Sequence, residues 1–217
     1  MIKVYFLKIN KKHYKHLDVY LKALPVVIKK RLFKLDQKDD RFRGVIARLI
    51  LKKILIVEGY SENVLKKIKI DEYNRPYLDN KIDFNISHSG NYVLCAICTN
   101  GAKKTRVGVD IEKMRKIKID EFNVFLSKTE LVDVLRKKRP LNRYFELWTK
   151  KEAVSKANGK GIGTLLPGIK IKNKVASCEN IKWNLKKINI NKNYQSHLAF
   201  KGNPKIKIIE LKTEEIF

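Results

Sequence analysis

One stretch, PLNRYFELWTKKEAVSKANG, constrains the fold more than any other, because it carries apolar side chains on two sides of a single helix. At about 100° per residue, with Phe145 at zero, Leu141 falls near −40° and Trp148 near −60°, while Leu147 and Val154 lie on the opposite side. A helix over 141–157 must therefore be covered on two faces, and Asn158-Gly159 supplies its C-terminal stop. The same ~100° step puts Glu152 near −20° and Lys156 near +20°, inside the Leu141–Phe145–Trp148 stripe. A carboxylate taken out of water without compensation costs several kcal/mol, so Glu152 calls for a charge partner or a metal ion. The bland alternative is an exposed Glu152–Lys156 pair four residues apart, worth only ~0.3–0.5 kcal/mol.

Around this helix the chain reads as helices alternating with short strands. KVYFLKI at the start alternates like a strand. Residues 15–35 and 40–58 have helical apolar spacing, with Gly59 as a stop. Strand-like pieces follow near 66–70, 83–88 and 91–98, and the polar segment TNGAKKT, 99–105, is the best internal boundary. The second half opens with a strand over 106–112. Ser127 and Glu130 then form a capping box for a helix over 128–138, with Pro140 after it. GIGTLLPG reads as a loop, followed by strands at 169–172, 181–190, 194–200 and 205–211. Each half is thus expected to be an antiparallel sheet packed with helices, an α+β fold with domains 1–104 and 105–217.

At 217 residues with 44% hydrophobic content the chain can bury a real core. No apolar run approaches the ~20 residues of a membrane span, and the N-terminus has no signal-peptide layout, so a cytoplasmic protein without membrane partners is expected. Cys95, Cys98 and Cys178 are too few and too oddly placed for a disulfide framework or a zinc site, and read as buried thiols. Forty-nine Lys+Arg against 22 Asp+Glu give a net charge of +27, a field that attracts polyanions, although the excess is spread along the chain.

The strand RVGVDIE offers Glu152 a partner. Asp110 and Glu112 are two apart and so share one face of a strand. Adjacent carboxylates repel, and a divalent cation holds both ionised; with one or two carboxylates plus waters or phosphate oxygens, Mg²⁺ is the natural choice.

Gly108-Val109-Asp110-Ile111-Glu112 and Trp148-Thr149-Lys150-Lys151-Glu152-Ala153-Val154-Ser155-Lys156 resemble the two hallmark motifs of the Sfp-type 4′-phosphopantetheinyl transferases. Phe84-Asn85-Ile86-Ser87-His88-Ser89 and Tyr73-Asn74-Arg75-Pro76 are similar to two further motifs of that family, and Asp40 through Leu51 to its first long helix. The resemblance covers most of residues 29–160; the last fifty match only in outline. It implies two similar, pseudo-twofold related halves with the active site in the cleft between them, acting as a monomer. The implied activity moves phosphopantetheine from coenzyme A to a serine of an acidic acyl or peptidyl carrier protein, releasing 3′,5′-ADP. By resemblance, Asp110 and Glu112 hold Mg²⁺, and Glu152 is a third ligand or the base that takes the serine proton. Lys156 would stabilise or protonate the leaving phosphate, and Ser87 and His88 would grip coenzyme A phosphates. Arg75 would bind near the nucleotide and Arg31 and Arg43 the 3′-phosphate, while Lys151 would be structural or touch phosphate. Two readings compete. A Mg²⁺-dependent nuclease of the PD-(D/E)-x-K kind needs Glu and Lys two apart on a strand, but here Met114 and Val154 stand two beyond Glu112 and Glu152. A non-catalytic nucleic-acid-binding protein would leave the three carboxylates without purpose, so no nucleic-acid partner is expected.

Overall fold

The structure, a computed structural model, describes residues 1–99, 105–118, 125–161 and 166–216. Most of the expected boundary loop, 100–104, and part of the glycine-containing loop, 162–165, lie outside the described residues. The first half runs β1 (Ile2–Lys8), α1 (Leu17–Lys22), α2 (Val26–Phe33), α3 (Lys38–Val57), β2 (Lys69–Ile70), β3 (Pro76–Tyr77), β4 (Ile82–Ser89) and β5 (Tyr92–Thr99). The second runs β6 (Val107–Lys113), α4 (Lys128–Leu135), α5 (Pro140–Asn158), β7 (Lys170–Lys172), β8 (Val175–Cys178), β9 (Ile181–Lys187), β10 (Tyr194–Phe200) and β11 (Ile206–Leu211). The α+β class is as expected. The helical reading of 15–35 needs correcting, because Pro25 splits it: the residue before a proline is pushed out of the helical region, and Pro25 itself, at φ −56° and ψ 147°, caps α2. The two-residue β3 and the strand β8 escaped the periodicity.

The sheets have orders β11-β1-β5-β4 and β6-β10-β9-β8-β7, with β2 and β3 forming a separate ribbon. The last strand does not stay with the second half. β11 returns to pair in parallel with β1, Ile2 opposite Ile206, so the 105–217 division fails for these residues and the first sheet is mixed. β11 shows the exposure of an edge strand, with only Ile206, Ile209 and Leu211 half-buried.

Alternation along β5 places the layers. Val93, Cys95 and Ile97 pack against α1 and α3, while Leu94, Ala96 and Cys98 meet Val107, Val109, Ile111 and Leu198 of the second sheet. The far face of the second sheet, through Ala199, Trp183 and Leu185, packs on Ala153, Val154 and Ala157 of α5. The order is helices, sheet, sheet, helix. Strands β5 and β10 are covered on both faces, which explains their nearly continuous burial. All three cysteines are free and buried, as expected, and burial pushes the Cys95 thiol up to about 12.

The two sheets are also stitched edge to edge. Side-chain oxygens on alternate residues of β4 accept alternate backbone N–H groups of β6: Asp83 from Val107 at 2.7 Å, Asn85 from Val109 at 2.9 Å, Ser87 from Ile111 at 3.3 Å and Ser89 from Lys113 at 3.0 Å. The offset is 24 residues at every rung, so this ladder of side chains sets the register of β6 against the first lobe. Exposed strand N–H groups at a junction need acceptors, and here short polar side chains provide them.

Candidate active site

The site lies at that seam, where β4, β6 and α5 converge. Gly108 permits the approach: a Cβ there would stand 2.0 Å from the Ala153 carbonyl oxygen and 2.5 Å from the Ala157 nitrogen. No side chain fits. With α5 drawn onto the strand at Gly108, Asp110 and Glu112 point from the same face toward Glu152 and Lys156.

Asp110 is 3% exposed, and its Oδ1 accepts from Lys156 Nζ at 2.6 Å and Ser87 Oγ at 2.8 Å. Its Oδ2 is buried without a partner. Glu112 accepts from Ser89 Oγ at 2.8 Å; burial first, and then the neighbouring Asp110 charge, raise its pKa above the ordinary carboxylate value. Glu152 is 4% exposed, and burial pushes it up to about 7, with Asp110 and Glu112 adding to the rise and Lys156 opposing it. Lys156 is held above its ordinary value because Asp110 and Glu152 outweigh the burial that would lower it. Glu152 therefore sits in the interior beside two carboxylates and one ammonium, as the helix wheel implied.

Among the described residues no group of three or more His, Cys, Asp or Glu side chains is arranged to hold a metal ion. The donor chemistry nevertheless suits a hard divalent cation. Asp110 Oδ2 is a buried oxygen lacking any hydrogen bond, and the carboxylate repulsion that adds to the burial-driven rise of Glu112 and Glu152 is what a cation would relieve.

Beyond Ser87 lies a cluster of cations around His88. His88 is pushed down to about 4, by burial first and then by Arg48 and Arg43, and its Nδ1 is buried without a partner. Arg43 donates to the Gly90 carbonyl at 3.2 Å and to Asp40, leaving its Nε buried and unpaired. Arg48, unnoticed in the sequence, is lowered by burial and by the Arg31 charge. The structure thus links Arg31, Arg48, Arg43 and His88 electrostatically. No local signal marks Arg48: five residues after Arg43 it stands about 140° round the helix at ~100° per residue, between the core residues Ala47 and Ile50.

Two of the residues expected at coenzyme A have their side-chain charge engaged within the protein. The Lys151 side chain is 1% exposed and donates to Glu130 Oε2 at 2.7 Å and to the Phe125 and Leu166 carbonyls at 3.0 and 3.2 Å. All three ammonium protons are used, so the phosphate-touching option for Lys151 is corrected to the structural one. Arg75 holds Asp83 through two bonds of 2.8 and 2.7 Å and also donates to the Val107 and Lys156 carbonyls. Its guanidinium pins the lobes together and caps α5, where Arg106 also binds the Asn158 carbonyl at 2.6 Å. Ser87, besides its bond to Asp110, accepts from Lys156 at 3.2 Å, so its hydroxyl belongs to the seam itself.

Comparison with known proteins agrees with this geometry. Residues 106–208 match the 4′-phosphopantetheinyl transferase superfamily, and residues 11–100 match the N-terminal region of a 4′-phosphopantetheinyl transferase. The 4′-phosphopantetheinyl transferase gsp of Aneurinibacillus migulanus is 32% identical over 167 residues, which cover 75% of this chain and 68% of that protein. Sfp of Bacillus subtilis is 29% identical over 139 residues, 62% of this chain and 60% of the relative. The transferase ffp, also of Bacillus subtilis, is 34% identical over 140 residues with the same two coverages. The aligned stretches thus span 60–68% of these relatives' own lengths. With both halves matched in order and the shared motifs meeting at one seam, the chain belongs to the Sfp-type 4′-phosphopantetheinyl transferase family.

Proposed function

We propose that this chain transfers 4′-phosphopantetheine from coenzyme A to a serine of an apo acyl or peptidyl carrier protein, with Mg²⁺ bound and acting as a monomer. The observation that carries the reading is Glu152, buried beside Asp110, Glu112 and Lys156 and poised near pH 7. A base whose pKa lies near the working pH can take a proton from a hydroxyl and yet be about half ionised beforehand. Glu152 receives the serine proton as the serine oxygen bonds to the phosphopantetheine phosphorus. The bond from that phosphorus to the 5′-phosphate oxygen of 3′,5′-ADP breaks. Lys156, close to Asp110 and Glu152, donates to the phosphate oxygens that gain charge. Asp110, Glu112 and Glu152 would hold the Mg²⁺, which when bound neutralises charge on the pyrophosphate. His88, Arg43, Arg48 and Arg31 form the anion-binding cluster for the coenzyme's 3′-phosphate; the unpaired His88 Nδ1 and Arg43 Nε support this.

The test incubates the chain with coenzyme A, Mg²⁺ and an apo carrier protein, followed by mass spectrometry. A phosphopantetheine-sized gain on the carrier's serine supports transfer. No gain with any of an acyl, a peptidyl and a fatty-acid-type carrier removes the reading.

A further inference from the structure

Two serines on β4 stand against the two acids on β6 with the same spacing. Ser87 and Ser89 are two residues apart, as are Asp110 and Glu112, and each hydroxyl donates to the carboxylate 23 positions on, at 2.8 Å in both cases. The same two oxygens accept the Ile111 and Lys113 N–H groups at 3.3 and 3.0 Å. A hydroxyl has one proton and two acceptor lone pairs. Ser87 also accepts from Lys156 at 3.2 Å, so both its lone pairs are taken and its proton goes to Asp110. Ser89 has one proton as well, and Glu112 Oε2 receives it.

The ladder between the strands changes its chemistry along its length. Asp83 and Asn85 accept from Val107 and Val109, where the β6 residue turned toward α5 is Gly108 and carries no charge. Hydroxyls take over where the carboxylates begin. A carboxylate such as that of Asp83 could accept an N–H there too, but it would give Glu112 no proton. Holding the strand in register therefore does not explain why the upper rungs are serines.

Each acid is held by one oxygen. Asp110 Oδ1 takes the bonds from Ser87 and Lys156, and Oδ2 has none. Glu112 Oε2 takes the bond from Ser89, and among the described residues no hydrogen bond reaches Oε1. Two unused oxygens, one from each acid, suit a hard divalent cation, and the serines decide which oxygens those are. Ser89 is itself held from both lobes through the turn that follows it. A Cβ on Gly90 would stand 2.3 Å from the Tyr194 hydroxyl, Asn91 N–H donates to that hydroxyl at 3.0 Å, and Arg43 of α3 donates to the Gly90 carbonyl at 3.2 Å. A side chain on a clamped turn can aim its neighbour.

We propose that Ser89, with Ser87, is a positioning residue of the metal site: each hydroxyl holds one oxygen of a β6 carboxylate and leaves the other, Glu112 Oε1 or Asp110 Oδ2, to take the divalent cation. This rests on the Mg²⁺ reading above. Ser89 acts through Glu112 and touches neither substrate nor reacting atoms.

The test follows Mn²⁺ binding by electron paramagnetic resonance, with coenzyme A present and no carrier, beside a melting curve and transfer kinetics. Ser89→Ala should weaken Mn²⁺ binding on the order of tenfold and raise the Mg²⁺ needed for half-maximal transfer by a similar factor, leaving kcat at saturating Mg²⁺ within about threefold. Ser89→Thr keeps the hydroxyl and should stay within about threefold of wild type in Mn²⁺ binding. In a Glu112→Gln background, Ser89→Ala should weaken Mn²⁺ binding by less than about twofold further, because the side chain it aims is already altered. Wild-type Mn²⁺ affinity in Ser89→Ala overturns the proposal. Equal losses from Ser89→Ala in both backgrounds do so too, since they would leave Ser89 a latch for the strand alone. A wild type that binds no Mn²⁺ removes the metal reading and this inference with it. Mn²⁺ binding that depends on Ser89 without any transfer by the wild type upholds the positioning role and removes the transferase reading.

Discussion

The two long helices, α3 and α5, are nearly the same length and each lies on its own sheet, yet they bury different chemistry. α3 covers Phe42, Val45, Ile46, Ala47, Ile50, Leu51, Ile54 and Leu55, all apolar. The buried set of α5 includes Thr149, Lys150, Lys151, Glu152, Ser155 and Asn158. Burying apolar area stabilises at about 25 cal/mol per Å², whereas each buried charge costs several kcal/mol unless paired. α3 therefore works as a packing element with cations at its rim, and α5 as a polar element whose charges must each find a partner. Lys151 and Lys150 have theirs in Glu130 and Glu146. Glu152 has only a partial one in Lys156, which it shares with Asp110.

Breaking that asymmetry at Glu152 should give the largest effect. Glu152→Gln keeps the shape and removes the base, so transfer should fall by about 10²–10⁴ while thermal stability holds or rises, since a buried charge is gone. Mass-spectrometric transfer rates and a melting curve check both halves. Wild-type activity in this variant would falsify the role given to Glu152.

Lys151 sharpens the contrast within α5. Lys151→Met is nearly isosteric, yet it strips Glu130 and two carbonyls of a shared ammonium, and should cost about 3–5 kcal/mol of stability. The matching swap Ile50→Met in α3 should cost less than about 1.5 kcal/mol, because only shape changes. Urea denaturation of both variants measures the gap; equal costs would show that α5 is held by packing alone.

What the sequence revealed follows from the same contrast. The helix-wheel position of Glu152 and the two-residue spacing of Asp110 and Glu112 were legible, because local periodicity alone decides which face each side chain takes, while the meeting of strand and helix was expected from the resemblance. Features set by distant partners were not legible. Nothing local says that Asp83, Asn85, Ser87 and Ser89 would accept the N–H groups of a strand 24 residues away, or that β11 would cross back to β1. Lys151 and Arg75 stand in or beside recognisable motifs, and a motif does not say whether a cation faces solvent, ligand or a carbonyl. Arg48 was hidden for a related reason: amid core residues on α3 its charge is visible only once His88 and Arg31 come near it.

The pH dependence of stability separates the lobes further. Glu152 has a folded pKa of about 7 against an ordinary 4.5, so the folded state holds its proton more tightly than the unfolded chain does. Its stabilising contribution is therefore complete below about pH 4.5 and lost as pH rises to about 7, some 3 kcal/mol at most. Without added metal, the difference in stability between wild type and Glu152→Gln should swing toward the variant across that window. A difference flat from pH 4.5 to 7 would place Glu152 in contact with water.

His88 in the first lobe and His197 in the second give the smallest and most local comparison. Both are depressed, to about 4 and about 3, and in both burial is the first cause. For each, the unfolded chain protonates first, so stability present above pH 6.5 is lost as pH falls through the folded values. They should respond differently to ligand. His88 has an unpaired Nδ1 and lies beside Arg48 and Arg43, where an anion would offset the cationic field that holds it neutral. His197 is tied to Thr149 on the far flank of α5, beside Lys150 and Lys187. Saturating 3′,5′-ADP should raise the His88 pKa by about one unit or more, a gain of roughly 1.4 kcal/mol or more for the charged form, and leave His197 in place. Imidazole NMR titrations with and without the nucleotide read both at once. Movement of His197 alone would put the nucleotide beside Lys150 and Lys187 on the far flank of α5 and leave the cations around His88 without their assigned phosphate.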